Sequence, residues 1–300
     1  MNLPKEFSNK EKSKVIIVPI EYDGYVTTGG GANKGPKEII KASYELEYFD
    51  CELETEPYLA GIHTTKSIVV KKNKENYFYK DSQKMLDRLS TLLISKKFPI
   101  FLGSDHSTTF PVVNYLEKVN SDFGIIIFDA HSDLREPLGK ETWWHACVSR
   151  LISKKHKTLI AGIRSQDFYE KEYLDSKDSK SLKVILANDL KKSQKTFNLE
   201  LENLPKKIFI SIDVDFFDPS IIRNTNTPEP GGFDWFEINN LLKEIFKRKE
   251  VIGIDITEFS PKGPLWNYKG EAYLLAKLIY KVIAYKFNWF LFKNLTLNYT

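Results

Sequence analysis

Cysteine is scarce. Cys51 and Cys147 are the only two in 300 residues, too few for a disulfide scaffold and without the paired spacing of a zinc finger. Both read as small, buried or half-buried thiols. Long apolar runs are missing as well. No stretch approaches the roughly 18 uninterrupted apolar residues of a membrane span, and the aromatic segment 287–292 is far shorter. The opening MNLPKEFSNKEKSK is polar and holds no apolar signal-peptide core. Residues 1–13 therefore read as a polar extension, 287–300 as an aromatic C-terminal tail, and the cytoplasm is the expected compartment. An excess of one charge is also lacking. Lys and Arg total 44 against 40 Asp and Glu, a formal +4, and the Lys-Lys pairs (71–72, 96–97, 154–155, 191–192, 206–207) are scattered like a solvated surface. Neither nucleic acid nor a membrane is expected as a partner. No repeat, low-complexity stretch or Pro/Gly-rich linker divides the chain, so one domain over 1–300 is expected.

What is present is a series of short Ile/Val/Phe runs bounded by turn residues: 15–20, 100–102, 124–128, 158–163, 184–187, 208–212 and 251–256. Their lack of polar alternation predicts strands covered on both faces. Amphipathic stretches lie between them, at about 36–48, 76–97, 107–120, 142–155, 234–249 and 270–287. Strand and helix alternating in this way predict an α/β fold, a three-layer α/β/α sandwich with a mostly parallel central sheet. Ligands in such folds sit outside the carboxyl ends of the strands.

Four of those strand ends carry acids and histidines. GSDHS (103–107) brings His106; DAHSD (129–133) brings Asp129, His131 and Asp133; DVDFFDP (213–219) brings Asp213 and Asp215; TEFSP (257–261) brings Glu258. In extended chain, residues two apart share a face, so 129/131/133 and 213/215 are each expected to point one way. Carboxylates crowded together repel one another or take up protons. Gathering this many makes sense when cations neutralise them, and carboxylate oxygens with imidazole nitrogens suit a hard divalent ion such as Mn²⁺. Taken singly, each residue has a plainer use: Asp129 or Asp213 as a helix N-cap, His106 as a structural histidine, Glu258 as an exposed loop acid. Asp218, before Pro219, reads as turn chemistry. GGGANKGPK (29–37) has Pro36 where a phosphate loop needs Lys before Ser/Thr, so it is read as a helix start instead.

On these residues the chain resembles the ureohydrolase (arginase/agmatinase) family. The family signatures GGDHS, DAHxD, SxDxDxxDP and a late E-x-x-P appear, in order, as GSDHS, DAHSD, SIDVDFFDP (211–219) and DITEFSP (255–261). GANKGP (31–36), GIHT (61–64), AGIRS (161–165) and TPEPGG (227–232) are similar too, so the likeness runs from about Val15 to Tyr285. Three departures stand out. Ser104 replaces a glycine, Trp144 precedes His145 where a small or polar residue is usual, and 221–226 replaces a Pro/Gly-rich stretch.

The resemblance implies an arginase-like fold, two divalent ions per subunit, with Mn²⁺ the expected metal, and a homo-oligomer, trimer or hexamer. One ion would be held by His106, Asp129, Asp133 and Asp213, the other by His131, Asp129, Asp213 and Asp215. It also implies hydrolysis of a guanidino group to urea and an amine. Asp133 would orient the attacking hydroxide, Glu258 would grip the guanidinium and His145 would shuttle the proton, since imidazole titrates near neutrality. Between DAHSD and His145 the loop LREPLGKETWW (134–144) lacks the Asn/Ser-rich segment of arginases and offers Glu136 and Glu141 to a distal ammonium. Trp144 would form an apolar wall or pack a helix start. The expected substrate is a small cationic guanidino compound: agmatine, giving putrescine, or N1-aminopropylagmatine, giving spermidine. A guanidinobutyrase, an arginase and a catalytically silent metal-binding homologue remain as alternatives.

Overall fold

The computed structural model describes residues 3–24, 29–73, 78–92, 96–137 and 144–297, with side chains as far as 287. Its strands are β1 (Val15–Glu21), β2 (Ile62–Thr64), β3 (Ile68–Val69), β4 (Phe98–Leu102), β5 (Gly124–Phe128), β6 (Thr158–Ile163), β7 (Leu182–Leu186), β8 (Lys207–Asp213) and β9 (Glu250–Thr257). Its α-helices are α1 (Lys5–Ser8), α2 (Gly35–Ala42), α3 (Phe78–Thr91), α4 (Thr109–Val119), α5 (Val148–Ser153), α6 (Phe168–Asp175), α7 (Ala187–Lys192), α8 (Lys195–Asn203), α9 (Trp235–Arg248) and α10 (Lys269–Leu297).

Every strand pair among the described residues is parallel, in the order β2-β1-β4-β9-β8-β5-β6-β7, with β3 beyond β2 on the edge of β1. Strand alternation splits the apolar residues into two cores. Ile126, Phe128, Ile208, Ile210 and Ile212 face α2 and α7 to α10. Ile125, Ile127, Ile160 and Phe209 face α3 to α6. The result is the expected three-layer α/β/α sandwich. Each fully buried aliphatic side chain contributes about 1.5–3 kcal/mol, so the two faces of the sheet are the main source of cohesion. β4, β5 and β6 are buried at every residue.

Some elements differ from the sequence expectation. β2 and β3 were not expected; both are short, and polar His63 and Thr64 leave β2 without an apolar run. Helices α6, α7 and α8 were also missed, because the segment is rich in charge and carries only a narrow apolar stripe. The helix expected over 142–155 begins as a 3₁₀ turn at His145–Cys147 and becomes α-helical only at Val148. α10 runs on through most of the segment read as a tail.

The chain order places the site. From β4 the chain passes over two strand positions to reach β5, and β8 and β9 later fill that gap. The four strands whose ends carry the acids and histidines are thus consecutive neighbours, β4-β9-β8-β5, at the point where the winding of the sheet reverses.

Candidate active site

Each candidate ligand is delivered by a strand end. His106 opens a 3₁₀ turn after β4, which the Asp105 side chain caps by accepting from Ser107 N at 3.0 Å. Asp129 follows β5 directly, and its Oδ1 accepts from His131 N at 2.6 Å. Asp213 ends β8 and accepts from Asp215 N at 2.9 Å. Strand alternation does not carry all of them, which corrects the simple face-sharing expectation. Asp133 reaches the crevice through a left-handed backbone, φ 51°, and Asp215 through a 3₁₀ turn at Val214–Phe216. Glu258, just after β9, is also left-handed at φ 64°. Such backbone in non-glycine residues is disfavoured and concentrates at functional sites.

The side chains converge. His106 Nδ1 lies 3.1 Å from Asp129 Oδ2, 3.0 Å from Asp133 Oδ2 and 3.3 Å from Asp213 Oδ2. His131 Nδ1 lies 2.8 Å from Asp215 Oδ2 and 3.8 Å from Asp129 Oδ1. Burial and the neighbouring Asp215 push the carboxyls of both Asp129 and Asp213 well above the ordinary range. Burial opposes charging of the imidazoles, but the carboxylates outweigh it, holding His106 well above its usual value and His131 at about 10. Asp215 is desolvated too, yet His131 holds it below the usual range.

This donor set fits divalent cations. His106 Nδ1 and Asp129 Oδ2 are buried, and neither has a hydrogen-bond partner despite the short distances. The atoms surround a point instead of pairing along N–H directions. Two trios, His106/Asp129/Asp213 and Asp129/His131/Asp215, each bring one ligand atom per residue within 4.8 Å of one another, and they share Asp129. Nitrogen and carboxylate oxygen without thiolate suits Mn²⁺ and its neighbours.

Around the trios opens a cavity of about 280 Å³ whose wall includes all five of these residues, Asp133, Glu258, half-buried His145 and Trp144. Glu258 accepts from His106 N at 2.7 Å and from Asn226 Nδ2 at 3.2 Å. Burial, with nearby Asp105, pushes it up to about 7. The Trp144 ring meets His145 edge-on at 5.1 Å and lies under the Arg135 guanidinium at 5.8 Å, so it is both packed and part of the wall. Glu136 stands apart from this wall. Its side chain is 78% exposed and pairs with Arg150 at 2.9 Å. Glu141 lies outside the described residues.

Several residues that sequence reasoning passed over belong to the site. Asp167 lines the cavity, paired with Arg135 at 3.2 Å. Glu170 accepts from Leu134 N at 2.8 Å and so fixes the loop after Asp133. Arg164 donates to five carbonyls, those of Gly162, Asp215, Phe217, Glu229 and Pro230, tying the TPEPGG loop to β6 and to the turn after β8. Behind His106, Ser211 Oγ lies 3.1 Å from Nε2, and buried Asp255 is pushed up to about 6 by desolvation, against which Ser211 and Thr109 act. The departures from the family pattern also find uses. Ser104 donates to Ile20 O at 2.6 Å and accepts from Tyr22 N at 2.9 Å, with no left-handed φ to penalise its Cβ. Asn226, from the replaced stretch, touches Glu258. Asp218 does serve a turn, accepting from Ser220, Gly231 and Gly232.

Comparison with known proteins agrees with this geometry. Residues 13–284 match the arginase family. An N(1)-aminopropylagmatine ureohydrolase of Thermus thermophilus is 30% identical, over 92% of this chain and 91% of its own. An agmatinase of Pyrococcus horikoshii is 31% identical over 90% of each chain. The crystal structure of the agmatine ureohydrolase of Thermoplasma volcanium superposes with a TM-score of 0.77 at 25% identity, covering 94% of this chain and 93% of that one. By its fold, its ordered strand-end acids and these matches, the chain belongs to the arginase family.

Proposed function

We propose that the chain hydrolyses a guanidino-amine such as agmatine or N1-aminopropylagmatine to urea and the corresponding amine. The observation that carries this reading is the pair of ligand trios sharing Asp129 in one cavity with Glu258 and His145. His106, Asp129, Asp133 and Asp213 would hold one divalent ion; His131, Asp129, Asp213 and Asp215 would hold the other. When bound, such ions lower the pKa of coordinated water from 15.7 towards about 7, which supplies a nucleophile at neutral pH.

The protein's own residues do the rest. Glu258 faces the planar, positively charged guanidinium and aligns its carbon over the cluster. Asp133 accepts a proton from the attacking water and holds it in line. A C–O bond forms as the C–N bond to the chain nitrogen breaks; that nitrogen takes one water proton, relayed from Asp133 through His145, and the second as the hydroxyl becomes the urea carbonyl. Guanidinium and water thus yield urea and an alkylammonium, with atoms and charge conserved. Trp144 shields one side of the cavity from water.

Asp167 supports a substrate with a second positive charge, because its carboxylate lines the cavity and its side chain is 34% exposed. Arg135, paired with Asp167, is the feature favouring a guanidino acid, but Glu170 and Glu258 line the same wall and leave carboxylates in excess there. Urea release from agmatine, aminopropylagmatine, arginine and guanidinobutyrate, measured with Mn²⁺, tests the reading. The two amines are expected to lead by kcat/KM. Preference for guanidinobutyrate or arginine would overturn the substrate class, and no urea from any of them would overturn the activity.

A further inference from the structure

Asn226 ends the segment that departs from the Pro/Gly-rich family pattern, one residue before Thr227. Thr227 lines the cavity and donates from Oγ1 to Asp215 Oδ2 at 3.4 Å. Asn226 is half-buried beside it and meets the site through Glu258. Two hydrogen bonds orient its amide. Nδ2 donates to Glu258 Oε2 at 3.2 Å, and Oδ1 accepts from Lys262 Nζ at 3.2 Å. A carboxylate only accepts and an ammonium only donates, so these two partners decide which end of the amide is nitrogen. The side chain thus bridges a buried carboxylate to an exposed ammonium.

The backbone around the bridge is tied down. Asn224 accepts from Ser260 N at its carbonyl, 2.8 Å, and from Lys262 N at its Oδ1, 3.2 Å. Its own N and Nδ2 donate to Glu271 Oε2 at 3.1 Å and to Asn267 O at 3.0 Å. Segment 224–226 is therefore stitched to segment 258–262. Gly29, left-handed at φ +68°, backs the bridge: a Cβ there would stand 2.6 Å from Lys262 Nζ and 3.1 Å from Asn226 Oδ1.

Glu258 has a use for such a partner. Its Oε1 accepts from His106 N at 2.7 Å, but the last torsion of a glutamate is broad, so a donor at one oxygen leaves the carboxylate plane free to turn. A guanidinium is planar and bonds a carboxylate through two parallel N–H groups only when the planes match. The Asn226 donor at Oε2 fixes that plane, and each oxygen keeps lone-pair capacity for the substrate. We propose that Asn226 is a positioning residue: its amide, itself held by Lys262, sets the plane in which Glu258 receives the guanidinium. This role rests on the guanidino reading of the site and adds to it a residue that acts through Glu258.

Asn226→Asp separates positioning from packing. Aspartate keeps the size and can still meet Lys262, so a purely structural role predicts KM within about twofold of the intact chain. A positioning role loses the donor and sets a second carboxylate against Glu258. KM for the best guanidine is then expected to rise about tenfold in Asn226→Ala and about thirtyfold or more in Asn226→Asp, with kcat within about threefold. Mn²⁺ content should be unchanged in both, and Asn226→Asp should melt no lower than Asn226→Ala. Should either variant lose metal, Lys262→Met, at an exposed side chain, takes their place with a rise of about three- to fivefold. If the intact chain releases urea from no guanidine, the proposed reaction fails on its own account. The calorimetric Kd of agmatine for the same Mn²⁺-loaded proteins then replaces KM, with the same order expected. KM or Kd for Asn226→Asp no higher than for Asn226→Ala overturns the positioning role. So does a change within about twofold in these variants or in Lys262→Met, or the absence of agmatine binding where no urea is released.

Discussion

Asp129 is the residue on which the cluster turns, since both trios draw on it and burial leaves its Oδ2 without a partner. Asp129→Ala should therefore remove both ions together, with metal content below one per chain and urea release at background; elemental analysis beside a urea assay reads both. His145 lines the cavity without belonging to either trio. His145→Ala is expected to keep its metal while kcat falls by about 10²- to 10⁴-fold, the usual range for a lost general acid. Asp167→Asn should raise KM for the diamine guanidines by about two- to fivefold, in keeping with a solvent-screened ion pair, and leave kcat nearly unchanged. At this scale the sequence was legible where chemistry follows from residue type. His106, Asp129, His131, Asp133, Asp213 and Asp215 all line one cavity. The left-handed φ of Asp133 and Glu258 was not legible, because it is imposed by the packing around them and not by their own preference. Glu136 misled for a related reason: a loop acid has no periodic pattern to fix its direction, and here Arg150 draws it outward.

Among the elements, the buried strands were easiest to read. β5 and β6 begin and end where their Ile-rich runs do, while α6 to α8 escaped notice because charged residues hide the narrow apolar face supplied by Tyr173, Leu190, Phe197 and Leu201. Glycine matters most at Gly162, at the register shift inside β6, where φ is +105° and a Cβ would stand 2.5 Å from Phe216 and 2.9 Å from Asp129 O. Connections between elements account for two further predictions. Arg164 joins three segments through carbonyls alone, and Arg164→Ala should lower the unfolding free energy of metal-free protein by about 2–3 kcal/mol. Lysine is not expected to rescue it, since one ammonium lacks the planar fork. On the far side of the molecule, Lys281 of α10 is buried and pairs with Asp50 at 2.7 Å and Glu52 at 3.0 Å. Lys281→Met should cost about 3 kcal/mol by stranding buried Asp50, and adding Asp50→Leu should recover much of it. Denaturant midpoints of the single and double substitutions give the comparison directly.

For the molecule as a whole, the order β4-β9-β8-β5 is the decisive feature, because it turns four separate stretches of sequence into one crevice. Alternation of strands and helices foretold the layers and the parallel sheet. It could not foretell which strands are neighbours, since parallel order depends on crossovers that no local pattern encodes. The same arrangement ties folding to metal. A ligand bound only by the folded state stabilises it by about 2.7 kcal/mol at a hundred times its Kd, so chelation should lower the melting temperature and Mn²⁺ should restore it. The most direct measurement is the Mn²⁺ content of the purified chain, titrated against urea release from agmatine. The account predicts activity that rises with metal and saturates at two ions per chain. Full urea release from a chain holding no divalent metal would contradict it.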